Sequence, residues 1–422
     1  MMRKTLVIVA VVYWIACSKQ EAVETKEKAK DAASNVAAKV KNAIDVAVPI
    51  GDRDDPAQIE KQRFDEEWRR LETFRVQQAA QQAAQQAAQQ AAQRREVQVI
   101  FAPAGTKETF KHVEAAQIND APVVVPLQGD VAGPSVLKTQ VYLDRAGFSV
   151  GMLDGRWGRN SAISLWWYQR GRGLGATGAV DEQTFRTLAA ETNATPAVVQ
   201  HTLTPEDVDG PFTSIPDDVY EQEKLDCLCY ESKKEKLAEM FHSTIDFLDQ
   251  LNPNAQFVAG EQIWVPNVRA AVTQDRPDIA RIVISIAGNT FNAYDASGNV
   301  IFHAPTTLGS KYDPSPHDTA EVKAITFDPQ FHYQPTLFHE VPDSDPEAQL
   351  KPGPNSPVGR VWIALSKPHF GIHGTKDPDS IGYASSHGCI RLTNWDAVEV
   401  AHRVREGVGV EFVDTRKPQQ SN

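Results

Sequence analysis

Apolar and polar residues change their spacing several times along this 422-residue chain, and the changes divide it. The first apolar block, Thr5 to Ala16, follows Met1-Met2-Arg3-Lys4 and is too short to span a bilayer comfortably. A basic start before a short apolar run has the form of a bacterial export signal. From Ser18 to about Ala47, small apolar residues at Ala22, Ala29, Ala33, Val36, Val40, Ala43 and Ala47 recur at heptad-like steps among Lys and Glu. That pattern predicts either a weakly pairing helix or, since large side chains are few, a solvated helix or disordered tether. Pro49 to Pro56 interrupts it. A second helical stretch starts near Ile59, passes Trp68 and Phe74, and enters a Gln-Gln-Ala-Ala repeat from Gln77 to Ala92. With good helix formers and nothing large to bury, the repeat predicts an extended spacer of about 1.5 Å per residue where helical.

A linker with Pro and Val leads to about Pro134. Asp154-Gly155 marks a turn, and Asp181 with Thr184 predicts a helix start. Trp166, Trp167 and Tyr168 suggest a sugar-stacking platform, but at helical spacing most of them are expected to pack in the core. Beyond Pro277 the period shifts to strands at Ala280 to Ile286, Thr290 to Asp295 and Val300 to Pro305, with Asp295-Ala296-Ser297-Gly298 as a hairpin turn. Thr393-Asn394-Trp395-Asp396 predicts a capped amphipathic helix running to about Val404, placed to brace the loop before it.

A net charge of −12 argues against nucleic acid as a partner. The length allows two or three domains plus spacers. Four cysteines cannot form a disulfide framework for such a chain. Cys227 and Cys229 form a Cys-x-Cys pair that could close a local disulfide or supply half of a metal site; no second pair with zinc spacing lies nearby. No nucleotide loop, metal-ligand spacing or redox motif stands out, so no cofactor or metal is expected.

The densest chemistry is Ile372-His373-Gly374 followed by Ser385-Ser386-His387-Gly388-Cys389-Ile390-Arg391. A thiol attacks as thiolate, and an adjacent imidazole can take its proton. Gly388 leaves room for a carbonyl beside Cys389, whose neighbouring backbone N–H groups could form an oxyanion hole. Both candidate bases precede the nucleophile, unlike the order in papain-like peptidases. The pattern resembles the signature of L,D-transpeptidases with a YkuD-type catalytic domain. The likeness extends over roughly 278–414, including Pro352 to Gly359 and Val361 to Leu365.

That resemblance implies Cys389 as nucleophile and His373 as general base, with Ser386, His387, Gly388 and Arg391 lining the acyl site. His387 is expected to shape the loop, although the sequence also allows it as the base. Arg391 shares a face with Cys389 in an extended segment and would either hold a substrate carboxylate or form a structural ion pair. His332, His339 and His369 are expected to be ordinary loop or core residues.

Residues 135–190 resemble a small helical peptidoglycan-binding domain, through Val136 to Gln140, Leu143, Gly147-Phe148, Asp154 to Gly158, Trp166 to Gln169 and Thr177 to Asp181. Residues 200–268 resemble a diverged LysM module, with a first strand at His201 to Thr204, a helix start at Ser243 and a last strand within Gly260 to Asn267. About thirty residues, with Cys227 and Cys229, interrupt it. Ile15-Ala16-Cys17-Ser18 resembles a lipobox, with Trp14 where an aliphatic residue is preferred.

The expected organisation is therefore a signal peptide at 1–17 and a helical, Ala/Gln-rich spacer and linker at 18–134. A small α-helical wall-binding domain at 135–190, an α+β LysM-like module at 200–268, a mainly β catalytic domain at 278–414 and a tail at 415–422 follow. Lipidation of Cys17 would place the enzyme on the periplasmic side of the outer membrane. Plain secretion into the periplasm and an uncleaved anchor are the alternatives. The implied partners are peptidoglycan and, through the lipid, a membrane. The implied reaction passes through a thioester acyl-enzyme on a tetrapeptide stem, forming 3-3 cross-links or attaching a protein amine. An L,D-carboxypeptidase using water, or a non-catalytic wall-tethering lipoprotein, are the rival readings.

Overall fold

The computed structural model describes residues 99–413, apart from 111–113, 270–275, 311 and 339. The export signal with Cys17, the heptad-like segment, the Gln-Gln-Ala-Ala spacer, His339 and the tail lie outside the described residues.

Three helices, α1 (Pro134–Arg145), α2 (Arg159–Gly171) and α3 (Glu182–Glu191), form the first unit. Their starts follow local chemistry. Pro134 occupies the first turn of α1, where its missing N–H is no loss, and the Asp181 carboxylate caps α3 by accepting from Thr184 N at 2.7 Å. Leu137, Leu143, Phe148, Leu165, Tyr168 and Leu188 are fully buried between the helices. Of the aromatic run, only Tyr168 belongs to this core, edge-on to Phe148 at 5.3 Å. Trp166 and Trp167 are half-buried, and Trp167 stacks at 6.0 Å on His303 of the following β unit.

Strand β1 (Val198–Thr202) pairs antiparallel with β2 (Gln262–Pro266), enclosing helices α4 (Val219–Gln222), α5 (Lys233–Met240) and α6 (Ile245–Leu251). The first strand thus ends earlier than expected. Thr204 cannot continue it, because its side chain caps a one-turn helix at Pro205–Val208 by accepting from Asp207 N. The later helix is capped by Thr244 rather than Ser243. Cys227 and Cys229 form a disulfide. The residue between them, Leu228, exchanges backbone hydrogen bonds with the 352–355 segment: Leu228 N donates to Pro352 O and Asn355 N to Leu228 O.

The remaining residues build an eight-stranded sheet in the order β11-β10-β9-β6-β12-β3-β4-β5. Its strands are β3 (Arg281–Ser285), β4 (Thr290–Tyr294), β5 (Val300–Pro305), β6 (Thr319–Phe327), β9 (Val361–Leu365), β10 (Gly371–His373), β11 (Ile390–Arg391) and β12 (Gly409–Val413). A separate hairpin of β7 (Phe331–Tyr333) and β8 (Ala348–Leu350) is held by the middle unit, where Gln349 N donates to Glu223 and Tyr220 OH to Pro346 O. Apolar side chains including Ile282, Phe291, Phe302, Ile363 and Ile372 form the core beneath α7 (Asn394–Arg403). Thr393 caps α7 through Asp396 N. Among the described residues, no helix is long and apolar enough to cross a membrane.

A buried charge cluster joins these units. The Arg269 guanidinium pairs with Asp144 of α1 and with Asp396 and Glu399 of α7; its side chain and all three partners are at most 2% exposed. Glu399 also pairs with Arg276 and Arg403. His242 completes the group by hydrogen-bonding Asp144 and stacking on Trp395 at 4.8 Å.

Candidate active site

Short strands bring the signature residues together. β10 pairs antiparallel with β9 and parallel with β11, which sets His373 opposite Trp362 on one side and opposite Arg391 on the other. Cys389 lies in the bend just before β11, two residues from Arg391, and so comes to the same end of the sheet as His373. The Arg391 charge acts on both of them.

His373 is only 4% exposed, and its ring stacks on Trp362 at 5.5 Å. Its Nδ1 lies 2.6 Å from Gly374 O. A carbonyl oxygen can only accept, so this contact assigns the proton to Nδ1 and leaves Nε2 with its lone pair. Burial, reinforced by Arg391, pulls the imidazole pKa down to about 3. The Cys389 thiol is pushed up by burial, partly offset by the Gly371 backbone hydrogen bond and by Arg391. The resting pair is therefore a neutral thiol and a neutral imidazole, not an ion pair. Sγ lies 3.5 Å from His369 O, so His369, read from sequence as ordinary, takes part through its main chain.

The loop before Cys389 is rigidly tied. Ser386 Oγ donates to Cys389 O at 2.6 Å, and Ser315 Oγ to Gly388 O at 2.7 Å. Ser386 thus locks the turn. Gly388 has φ +101°, and a Cβ there would lie 2.8 Å from the Phe370 ring and 3.4 Å from Pro314 O. Only glycine fits both the conformation and the space. His387 turns to the β7–β8 hairpin, with Nε2 2.6 Å from Glu340 and its ring edge-on to Phe338 at 4.9 Å. Ligand atoms of Asp313, Glu340 and His387 lie within 4.8 Å of one another, a grouping with metal-ligating chemistry that no local spacing announces. Arg391 Nε is buried without a hydrogen-bond partner, and burial lowers the guanidinium pKa.

Helix α7 braces the site from behind. Leu392 N donates to His373 O, and Asn394 Oδ1 accepts from Arg360 N. A Cβ on Gly359 or Gly374 would come within 2.0 or 2.1 Å of that same oxygen. Trp362, Phe338, Glu340, Ser315 and Asn394 were missed in the sequence. Trp362 and Asn394 left a signal, the one through its place within the Val361 to Leu365 strand, the other within the Thr393 to Asp396 helix start.

The chain matches the family profile of the L,D-transpeptidase catalytic domain over residues 279–412 and that of a peptidoglycan binding domain, described as "Putative", over 132–188. It is 32% identical over 183 residues to "Putative L,D-transpeptidase YkuD" of Bacillus licheniformis, covering 42% of this chain and 92% of that protein. It is 53% identical over 57 residues to the protein of the same name in Bacillus subtilis, covering 14% of this chain and 35% of that one. An L,D-transpeptidase structure from Mycobacterium smegmatis aligns with 24% identity and TM-score 0.27, over 37% of this chain and 64% of its own. The chain belongs to the L,D-transpeptidase family. It is an enzyme of that family with a small helical peptidoglycan-binding domain ahead of a mainly β catalytic domain.

The neutral histidines have a consequence for stability. His303, fully buried against Trp167, is also held down to about 3 by burial. Their folded pKa values lie below the ordinary 6.5, so between roughly pH 3 and 6.5 the unfolded chain binds more protons than the folded one. Stability from this source is present above 6.5 and is lost as pH falls. Urea unfolding at pH 4.5 should give a stability lower than at pH 7 by about 2 kcal/mol for each histidine. Equal stability at the two pH values would show that these rings are not held neutral.

Proposed function

We propose that the protein is a cysteine-dependent L,D-transpeptidase acting on peptidoglycan tetrapeptide stems. One observation carries the reading: Cys389 and His373 both lie within reach of the Arg391 charge where β10 and β11 adjoin, with the His373 Nδ1 proton committed to Gly374 O. Nε2 is then the basic nitrogen offered to the thiol. As Sγ attacks the carbonyl preceding the terminal D-Ala, its proton passes to Nε2 and a C–S bond forms. The C–N bond breaks, His373 returns the proton to the departing D-Ala amine, and a thioester remains. An acceptor amine attacks the thioester, the C–S bond breaks and the thiol is restored. A diaminopimelate side-chain amine as acceptor gives a 3-3 cross-link; a protein lysine would give attachment. Arg391 supplies the charge for a stem carboxylate, and Ser386, His387 and Gly388 shape the loop.

His373→Ala should slow acylation by about 10²–10⁴, the usual worth of general acid–base help, and far more than His387→Ala. Single-turnover measurements on both variants at equal folding check this; the reverse order would exchange their roles. Muropeptide mass analysis after incubation with the purified protein tests the reaction itself. Cross-linked dimers formed with loss of D-Ala support the proposal, tripeptides alone indicate a carboxypeptidase, and unchanged tetrapeptides indicate a wall-binding protein.

Export and lipid anchoring through Cys17, with work at the periplasmic face of the outer membrane, complete the proposal on sequence grounds. Lipid labelling that persists in Cys17→Ser would overturn that part. The unit at 198–266, two paired strands enclosing short helices, is proposed as a second wall-recognition module.

A further inference from the structure

A cavity of about 160 Å³ lies where the three units meet. One wall is the Asp154 to Gly158 turn and the start of α2, the other is the 378–383 segment of the catalytic domain, and Thr244 closes one end. The two walls are joined rather than merely adjacent. Arg159 donates to Gly382 O and Gly288 O at 3.0 Å, and Asn160 Nδ2 donates to Ile381 O at 3.0 Å. On the helical side, Gln140 accepts from Gly155 N and donates to Asp154 and Ser161, which fixes the turn.

Three features of the cleft select among ligands. Gln140, Asn160 and Ser161 line the cavity, a polar set suited to an occupant that carries hydroxyl and amide groups. Tyr383 lines the cavity yet is 63% exposed, offering a flat aromatic face at the rim. Asp154 and Asp379 line it with only Arg156 as a balancing cation, which disfavours an anionic peptide and favours a neutral, hydroxyl-rich ring. The cavity is also within reach of the thiol. Tyr383 and Cys389 are six residues apart in one loop, so their Cα atoms can be separated by at most about 20 Å.

We propose that this cleft is a saccharide subsite built jointly by the wall-binding and catalytic units, which seats a sugar of the glycan strand while its stem peptide runs along the loop to Cys389. The proposal rests on the transpeptidase reading for the fate of the stem, and on the cleft alone for the sugar.

The test uses the full chain carrying Cys389→Ala and, as probe, the peptide-free N-acetylglucosamine–N-acetylmuramic acid disaccharide with its lactyl carboxyl capped as the neutral methylamide, followed by saturation-transfer NMR and calorimetry. Saturable binding is expected, weakened at least tenfold by adding Tyr383→Ala and retained with Tyr383→Phe. No saturable binding, or the same affinity after Tyr383→Ala, overturns the subsite. With the thiol intact, kcat/KM for a disaccharide-tetrapeptide donor should exceed that for the free tetrapeptide at least tenfold, and Tyr383→Ala should bring the ratio towards one. Parity in the unmodified enzyme also overturns it. Absence of turnover with both donors would instead sink the transpeptidase reading, and the sugar titration would still decide the subsite.

Discussion

Replacing Cys389 with Ala should abolish release of D-Ala from tetrapeptide stems while leaving the fold and wall binding intact. Cys389 is the only cysteine outside the disulfide among the described residues, and its loop is held mainly by Ser386 and Ser315 on main-chain oxygens, with Sγ adding only a long contact to His369 O. Losing the sulfur removes the nucleophile and little of the packing. The residual rate should be that of stem peptides in buffer. A Cys389→Ala protein that still released D-Ala at a measurable fraction of the normal rate would require another nucleophile.

The second large effect is on stability. Arg269→Ala leaves Asp144, Asp396 and Glu399 buried with their shared cation gone. The network already shows how unequal the balance is: the arginine holds the Asp144 and Glu399 carboxyls below their ordinary range, whereas burial wins at Asp396 and pushes it up. Removing one partner of such a buried set typically costs about 3–5 kcal/mol, mostly from the charges left behind. Urea denaturation should show a loss of that size. It should come with weakened attachment of α1 to α7, seen as faster proteolysis of the 145–158 segment. A loss under about 1 kcal/mol would mean that water or protonation compensates the three carboxylates.

Local grammar made much of the fold legible. The Asp181 and Thr393 caps, the Asp295 to Gly298 turn and strands β3 to β5 follow from side chains acting on backbone within a few residues. Cys389 and His373 could be put forward as a pair for a related reason, since both lie in one short region whose strands adjoin. What stayed hidden depends on partners far away in sequence. Arg269 meets Asp144 and Asp396 across more than a hundred positions each, and His387 meets Glu340 only because the β7–β8 hairpin folds back. Thr204 reads as a strand residue by its β-branched shape, yet its hydroxyl finds Asp207 N and ends the strand. Leu228 pairs its backbone with residues 352–355, more than a hundred positions away.

The neutral resting state of the thiol and imidazole also bears on reactivity. A thiol raised by burial is a poor target for simple alkylation near neutral pH, yet it can attack once a carbonyl is seated and Nε2 takes the proton. Reactivity is thereby tied to an occupied site, which protects a thiol whose loop reaches the surface.

The measurement that bears most directly on the central claim is peptide mapping by mass spectrometry of the enzyme quenched in acid during turnover of a tetrapeptide donor. The account predicts a thioester adduct equal to the donor minus D-Ala, confined to the peptide that carries Cys389 and removed by added acceptor amine. An adduct on any other residue, or turnover with no covalent species while Cys389→Ala remains active, would contradict it.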